Sequence, residues 1–578
     1  MGIPRLIGHL EPFAETVHFT ERNAANPRRV AVDGPGLAFH AAQLALRKTI
    51  ETSSIRTPSY REIGDAALGF LRSLRVCGLS VCAIYFDGFL PDYKKEERLQ
   101  RLLNSTAELD SSRPNAQRLT RGAPFIVPVV LEILFESEFH LFTAVMPGEA
   151  DSWCARHARD FGSMILTGDS DLLAHDLGTQ GSVAFFPYVD INDSGVEVLE
   201  YRPTSIANRL GLASIRSLAY QLLRDRHKTM NELVELAKAL ERTSTLINLD
   251  DHGIPHTTED GSIYNISIYA QDRITAGFES ADSQQLLLQS ILSRLDPRIS
   301  EFVQQVLSCP LDRSLLGRLT VYLPVLIENV DRASAWNCGE QIRQFGYSIV
   351  TATLTIKPVV IHEVIRSGRR IVEKERQLFC YPMLIATFTE HIKTWLRICS
   401  ELPPPCTWRL FGVYSMWQDL SVTDQAFLQL RVNVQKLLGS RTNAVGQYNW
   451  DTRHIDAQLQ AVLYSLRMLQ RFTTVFMAHR VAQQNDDFTK GVRALHDSLN
   501  SLPPLDQLIQ QDYKPALEEN PQLAEAITEM YALLGVEEKG PETAKPKKTR
   551  RSGKAKQSGQ EVVVGGNMYH LLDELTDI

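Results

Sequence analysis

Three short apolar runs in this chain each deliver an aspartate, and the stretches between them read as helices. Residues 29–33, RVAVD, end on Asp33. Residues 81–88, VCAIYFDG, carry Asp87. Residues 163–171, SMILTGDSD, carry Asp169 and Asp171. A brief apolar run bounded by Gly or Asp reads as a buried strand. After the first run, Gly34 and Gly36 turn the chain into a helix-prone segment, 37–49. Residues 61–75 then place Ile63, Ala67, Phe70, Leu71 and Leu74 at helical spacing. A further helix is expected over 94–108. Residues 139–145 are strand-like and run into Pro147-Gly148-Glu149. Two more strands, 182–188 and 196–201, flank a turn at 192–195, and Pro203 starts a helix through Leu210. Strands alternating with helices imply an α/β fold with a mostly parallel sheet and helices on both faces.

In such sheets the ligand sits beyond the carboxyl ends of the strands. Those ends carry Asp33, Asp87 and Asp169 here, with Glu149 just after a fourth strand. Glu149 pairs with Asp151, and Asp169 with Asp171, each two residues apart. That spacing faces one site more readily at a helix start or a strand-to-loop exit than in mid-helix. Carboxylates a few Å apart cannot all ionise unless a cation sits among them. Hard oxygen ligands select magnesium or manganese. Taken singly, each pair also reads as solvated acids of a first helical turn. Three strands bringing an Asp to the same edge favour a shared metal site.

The motifs MGIPRL, AVDG, YFDG, PGEAD and TGDSDLL follow one another in the order seen in the flap-endonuclease and xeroderma-group-G (XPG) nuclease superfamily. More narrowly, VAVDGPGLAFH, IYFDGFLPDYK and LTGDSDLLAHDLG resemble the fungal branch of asteroid-type proteins, which have a PIN-like nuclease domain. The resemblance covers roughly residues 1–225. It implies a PIN-like, flap-nuclease-like domain over 1–215 whose metal ligands are Asp33, Asp87, Glu149, Asp151, Asp169 and Asp171. Two magnesium or manganese ions about 4 Å apart would clamp the scissile phosphate. Lys94 and Arg101, seven residues apart on one helix face, match the basic pair that these nucleases aim at that phosphate. The implied activity is a metal-dependent, structure-selective endonuclease acting on DNA more readily than RNA, in DNA repair.

The chain departs from the superfamily beyond residue 215. The glycine-rich hairpin that grips duplex backbone is missing, and Asp225, near the place of a seventh acid, is flanked by Arg224 and Arg226. A surface ion pair explains Asp225 equally well. This departure keeps a second reading open: a catalytically silent PIN-like scaffold that binds RNA or protein in post-transcriptional control. Residues 104–123, with Arg113, Arg118 and Arg121, read as a mobile loop.

Residues 216–535 read as a mainly α-helical region, with a loop-rich interval at 248–262 and a dividing proline run at 402–406. Helical periodicity is clear over 283–295, 299–307 and 459–469. Residues 537–560 include KPKKTRRSGKAK and no apolar anchor, so a disordered basic linker is expected over 536–566, suited to nuclear import or loose phosphate contact. Residues 567–578 place Met568, Leu571, Leu572 and Leu575 on one helix stripe that could dock on a protein partner. A net charge of −7 argues against a general nucleic-acid glove. No segment reads as a membrane span or secretory signal, and the scattered cysteines suggest reduced thiols. The expected location is nuclear, otherwise cytoplasmic.

Overall fold

The computed structural model describes residues 2–52, 58–89, 94–110, 123–243, 283–307, 318–354, 360–378, 382–419, 450–509 and 521–533. Its larger sheet has seven strands: Glu15–Phe19 (β1), Arg28–Asp33 (β2), Leu79–Asp87 (β3), Thr143–Met146 (β4), Met164–Thr167 (β5), Ser182–Asn192 (β6) and Gly195–Tyr201 (β7). Their order is β1-β7-β6-β5-β2-β3-β4. Strand β2 is the middle of five parallel strands, paired with β3 on one side and β5 on the other. Strands β7 and β1 extend that sheet antiparallel. The chain therefore runs outward from β2 through β3 to β4, then returns to β5 and β6. The carboxyl ends of β2 and β5 lie where the strand order reverses, the place where open parallel sheets bind ligands.

Side chains alternate across this sheet, as a pleated strand requires. Val30, Val32, Leu166, Ala184 and Phe186 enter one buried cluster, and Ile165, Val183 and Phe185 enter the other. Helices Gly34–Thr52 (α2), Tyr60–Val76 (α3) and Ile126–Phe135 (α5) cover the first face. Ser59 and Glu62 form a capping box that starts α3. Helices Leu6–Leu10 (α1), Ala150–Phe161 (α6), Pro203–Leu210 (α7), Ile215–Arg224 (α8) and Met230–Thr243 (α9) cover the second face. Leu218, Leu222, Leu233 and Ala237 lie in that cluster, so α8 and α9 pack with the N-terminal sheet although they follow residue 215.

The second half contains helices Ser283–Leu292 (α10), Pro297–Leu307 (α11), Glu340–Thr351 (α12), Pro382–Ile398 (α13), Pro404–Asp419 (α14), Trp450–Ala478 (α15) and Asp487–Leu499 (α16). The first sheet cluster continues through them and takes in Trp336, Trp395 and Trp408. Helix α15 is bolted to α5: Arg471 reaches Glu132 at 3.0 Å, and the Tyr464 ring lies 4.7 Å from Phe125. The Leu505 amide donates to the same Glu132 carboxylate at 2.8 Å.

The structure also differs from the sequence reading. A three-stranded sheet interrupts the helical half: Thr320–Tyr322 (β8), Val360–Ser367 (β9) and Arg370–Gln377 (β10). Strand β1 was not anticipated, since only Phe19 of it is buried. The strand placed at 139–145 begins only at Thr143. Residues 104–110 belong to the helix Lys95–Asp110 (α4), not to a loop. The proline run starts a helix, because Pro404 fits a first turn where no backbone donor is needed. Arg113, Arg118, Arg121, the 248–262 interval, the basic run and the 567–578 stripe lie outside the described residues. Among the described residues no helix is long and apolar enough to cross a membrane.

Candidate functional site

Asp33 closes β2 and meets the start of α2. Its buried carboxylate accepts the Gly36 N–H at 3.2 Å and the Thr167 hydroxyl at 2.9 Å. Thr167 accepts the Asp169 N–H at 2.9 Å, so one hydroxyl ties the ends of β2 and β5 together. A Cβ at Gly36 would stand 2.4 Å from Asp33 Oδ2, so the close helix start needs glycine. Asp87 closes β3 and accepts the Ala150 N–H at 2.8 Å, the first amide of α6. The positive end of that helix favours the carboxylate. Glu149 is the N-cap of α6, and Asp151 lies in its first turn.

Asp169 caps a 3-10 turn, Ser170–Ala174, by accepting the Asp171 N–H at 3.1 Å. Asp171 accepts the Ile3 N–H, while its Oδ1 is buried without a hydrogen-bond partner. The N-terminal residues lie against this turn. Ser170 Oγ donates to Ile3 O at 3.2 Å, and a Cβ at Gly2 would stand 2.2 Å from Asp169 Oδ1.

Electrostatics bind these acids into one group. Burial, then Asp87 and Asp169, push the Asp33 carboxyl up to about 6, against the pull of Gly36 and Thr167. Burial holds Asp151 well above its ordinary value, with contributions from Asp33, Asp169, Asp87 and Glu149. Burial and Asp169 lift Asp171 to about 7, although Lys94 and the Ile3 amide act downward. The structure thus brings Asp33, Asp87, Glu149, Asp151 and Asp169 within mutual influence, with Asp171 joined through Asp169.

Lys94, just ahead of α4, pairs with Glu149 at 2.5 Å and also acts on Asp171 and His175. A residue read from sequence as a phosphate contact is therefore held by one read as a metal ligand. Arg101 is elsewhere: its guanidinium pairs with Glu97 one turn back, and both are half-exposed. Asp225 pairs with Lys228 at 2.9 Å and accepts the His227 N–H.

Among the described residues no group of three or more carboxylate, imidazole or thiol side chains is drawn together closely enough to hold a metal ion. The donor chemistry nonetheless fits one. The acids offer only hard oxygens, three of them resist ionising, and Asp171 Oδ1 has no partner. A cation among them would offset the like-charge repulsion that helps raise Asp33, Asp151 and Asp171. Sequence reasoning missed Thr167, and it named Gly36 and MGIPRL without placing Gly36 against Asp33 or Gly2-Ile3 against Asp169 and Ser170. Thr167 stands two residues before Asp169 in LTGDSD, where a hydroxyl at a strand end was a readable signal.

Residues 122–378 match the family described as XPG domain containing. The chain is 28% identical over 205 residues to Asteroid homolog 1 of Schizosaccharomyces pombe, a match covering 35% of this chain and 36% of that protein. The match thus spans about a third of the relative's length. A solved chain described as the eukaryotic junction-resolving enzyme GEN-1 binding with cesium is also similar, at 14% identity and a TM-score of 0.23, covering 55% of this chain and 83% of its own. The family match spans Glu149 to Asp171, and with the asteroid relative it marks this chain as similar to the asteroid-type proteins of the XPG superfamily.

Proposed function

We propose that this chain is a divalent-metal-dependent, structure-selective endonuclease that hydrolyses phosphodiesters of DNA, or of RNA, and serves DNA repair in the nucleus. One observation carries the reading: four adjacent parallel strands bring acids to one sheet edge, with Lys94 among them. Similarity to the XPG domain family and to an asteroid relative supports nuclease-type chemistry. Asp33, Asp87, Glu149, Asp151, Asp169 and Asp171 would hold magnesium or manganese, as two ions. Such ions, when bound, supply Lewis acidity and make water acidic enough to be a nucleophile at neutral pH.

The chain's own groups do the rest. Asp33, Asp151 and Asp171 would hold the cations as carboxylates, since a carboxyl must be ionised to bind. Thr167 keeps the Asp33 and Asp169 segments in register. Lys94 exchanges Glu149 for the phosphate and offsets the charge that develops there. Arg101 exchanges Glu97 for backbone phosphate farther out.

The test is a substrate panel of flaps, bubbles, single strands and RNA with magnesium or manganese, run beside Asp169→Ala. Cleavage by the native chain and none by the variant supports the enzyme. No cleavage of any substrate overturns it. A second reading, a silent scaffold for RNA or protein, is favoured by the absence of a preassembled ligand set among the described residues. Binding without cutting in the same panel would select it.

A further inference from the structure

Helix α4 rests on the second half of the chain through contacts the proposed chemistry does not use. Arg98 pairs with Glu301 of α11 and lays its guanidinium over the Tyr322 ring of β8, 5.2 Å from the centroid. At the other end of the helix, Asp110 accepts from Arg369 Nε at 2.7 Å, in the turn joining β9 and β10. Arg369 also pairs with Asp331 at 2.9 Å.

The neighbouring site elements lean the same way. The Val145 N–H of β4 donates to Ser293 O at 2.8 Å. A Cβ at Gly88, next to Asp87, would stand 3.0 Å from Ser300 Oγ. Residues 293–301 therefore support the Asp87 turn, the strand leading to Glu149, and the helix that follows Lys94.

These contacts matter because α4 has only a thin apolar face. Thr106 is its one buried residue, so it lacks the broad apolar face by which a surface helix normally docks. The Glu301 side chain is 10% exposed and that of Arg98 29%, so this pair is screened less than one in open solvent.

We propose that the second half of the chain is a brace for α4, and that Glu301 and Arg369 are positioning residues that keep Lys94 at the carboxylate group. The functional meaning of the brace rests on the nuclease reading; the order of the helix does not. The test is amide hydrogen exchange in the full chain, comparing residues 95–110 with β2, for Glu301→Gln, Arg369→Ala and the double variant. Exchange in α4 should quicken tenfold or more in the double variant, with β2 unchanged. The reciprocal swap Arg98→Glu with Glu301→Arg should restore protection. In cleavage assays the double variant should lose kcat with little change in KM, and the swap should recover it.

Exchange in α4 within twofold of the native chain would overturn the brace. A loosened helix with unchanged kcat would overturn the positioning role. If the native chain cuts nothing, the nuclease reading falls, and exchange alone decides the brace.

Discussion

At the scale of single residues, the acids at the sheet edge are a liability until something positive joins them. Asp33 binds its proton more tightly in the folded chain than in the unfolded one, its carboxyl lying near 6 instead of 3.8. The stability linked to that proton is complete below the unfolded value and fades as pH rises through about 6. Asp33→Asn keeps the shape and removes the penalty. Metal-free, it should melt above the native chain, with an advantage that grows from pH 5 to 7.5 and reaches about 1–3 kcal/mol. Calorimetry across that range checks both sign and trend. Asp87→Ala or Asp169→Ala should cost at least about a hundredfold in metal-dependent cleavage while the circular dichroism spectrum stays native. Lys94→Ala should lower cleavage and remove the cation that competes for Glu149, so metal affinity should rise as turnover falls.

At the scale of elements, the β9–β10 hairpin shows how polar residues can build a core. Glu363 is fully buried, bonded to Arg343 at 2.7 Å, Arg376 at 2.8 Å and the Tyr347 hydroxyl at 2.9 Å. Burial pushes its carboxyl up, but the two guanidiniums prevail and hold it down to about 2. Its contribution is therefore present above the ordinary glutamate range and lost only as pH falls toward 2. Glu363→Gln strands part of two buried cations and should destabilise the chain by roughly 3–5 kcal/mol, read from denaturant midpoints.

The same residues explain what the sequence hid. VIHEVIRSGRRIVEKERQ looks solvated because Glu363, Arg366 and Arg376 occupy buried positions as ion pairs, so polar no longer means outward. Strands β2, β3 and β5 were legible because their runs are apolar and an acid closes β2 and β3 and follows β5 by two residues. The acids themselves were legible as a set. That Lys94 would close on Glu149, or that Thr167 would link two strand ends, depends on packing across 55 and 134 residues of chain, which no local pattern encodes.

At the scale of the whole molecule, the two halves share one buried cluster, and α5 is covered by α15. The N-terminal sheet is therefore not expected to stand alone. A fragment ending at residue 243 would leave Glu132 without Arg467 and Arg471 and the Phe125 ring without Tyr464. It should bind a hydrophobic dye and lose cooperative melting, as loosely packed states do. A fragment that melts cooperatively would show the second half to be an appendage.

The central claim is that the acids at the ends of β2, β3, β4 and β5 form one cation site. Calorimetric titration of manganese into the full chain at pH 6, in two buffers of different ionisation enthalpy, tests it most directly. The account predicts binding coupled to proton release, because burial and neighbouring acids raise the carboxyls of Asp33, Asp151 and Asp171 above their ordinary range, with a raised melting temperature and loss of both effects in Asp169→Ala. Manganese that neither binds, nor releases protons, nor shifts the melting of the native chain would contradict it.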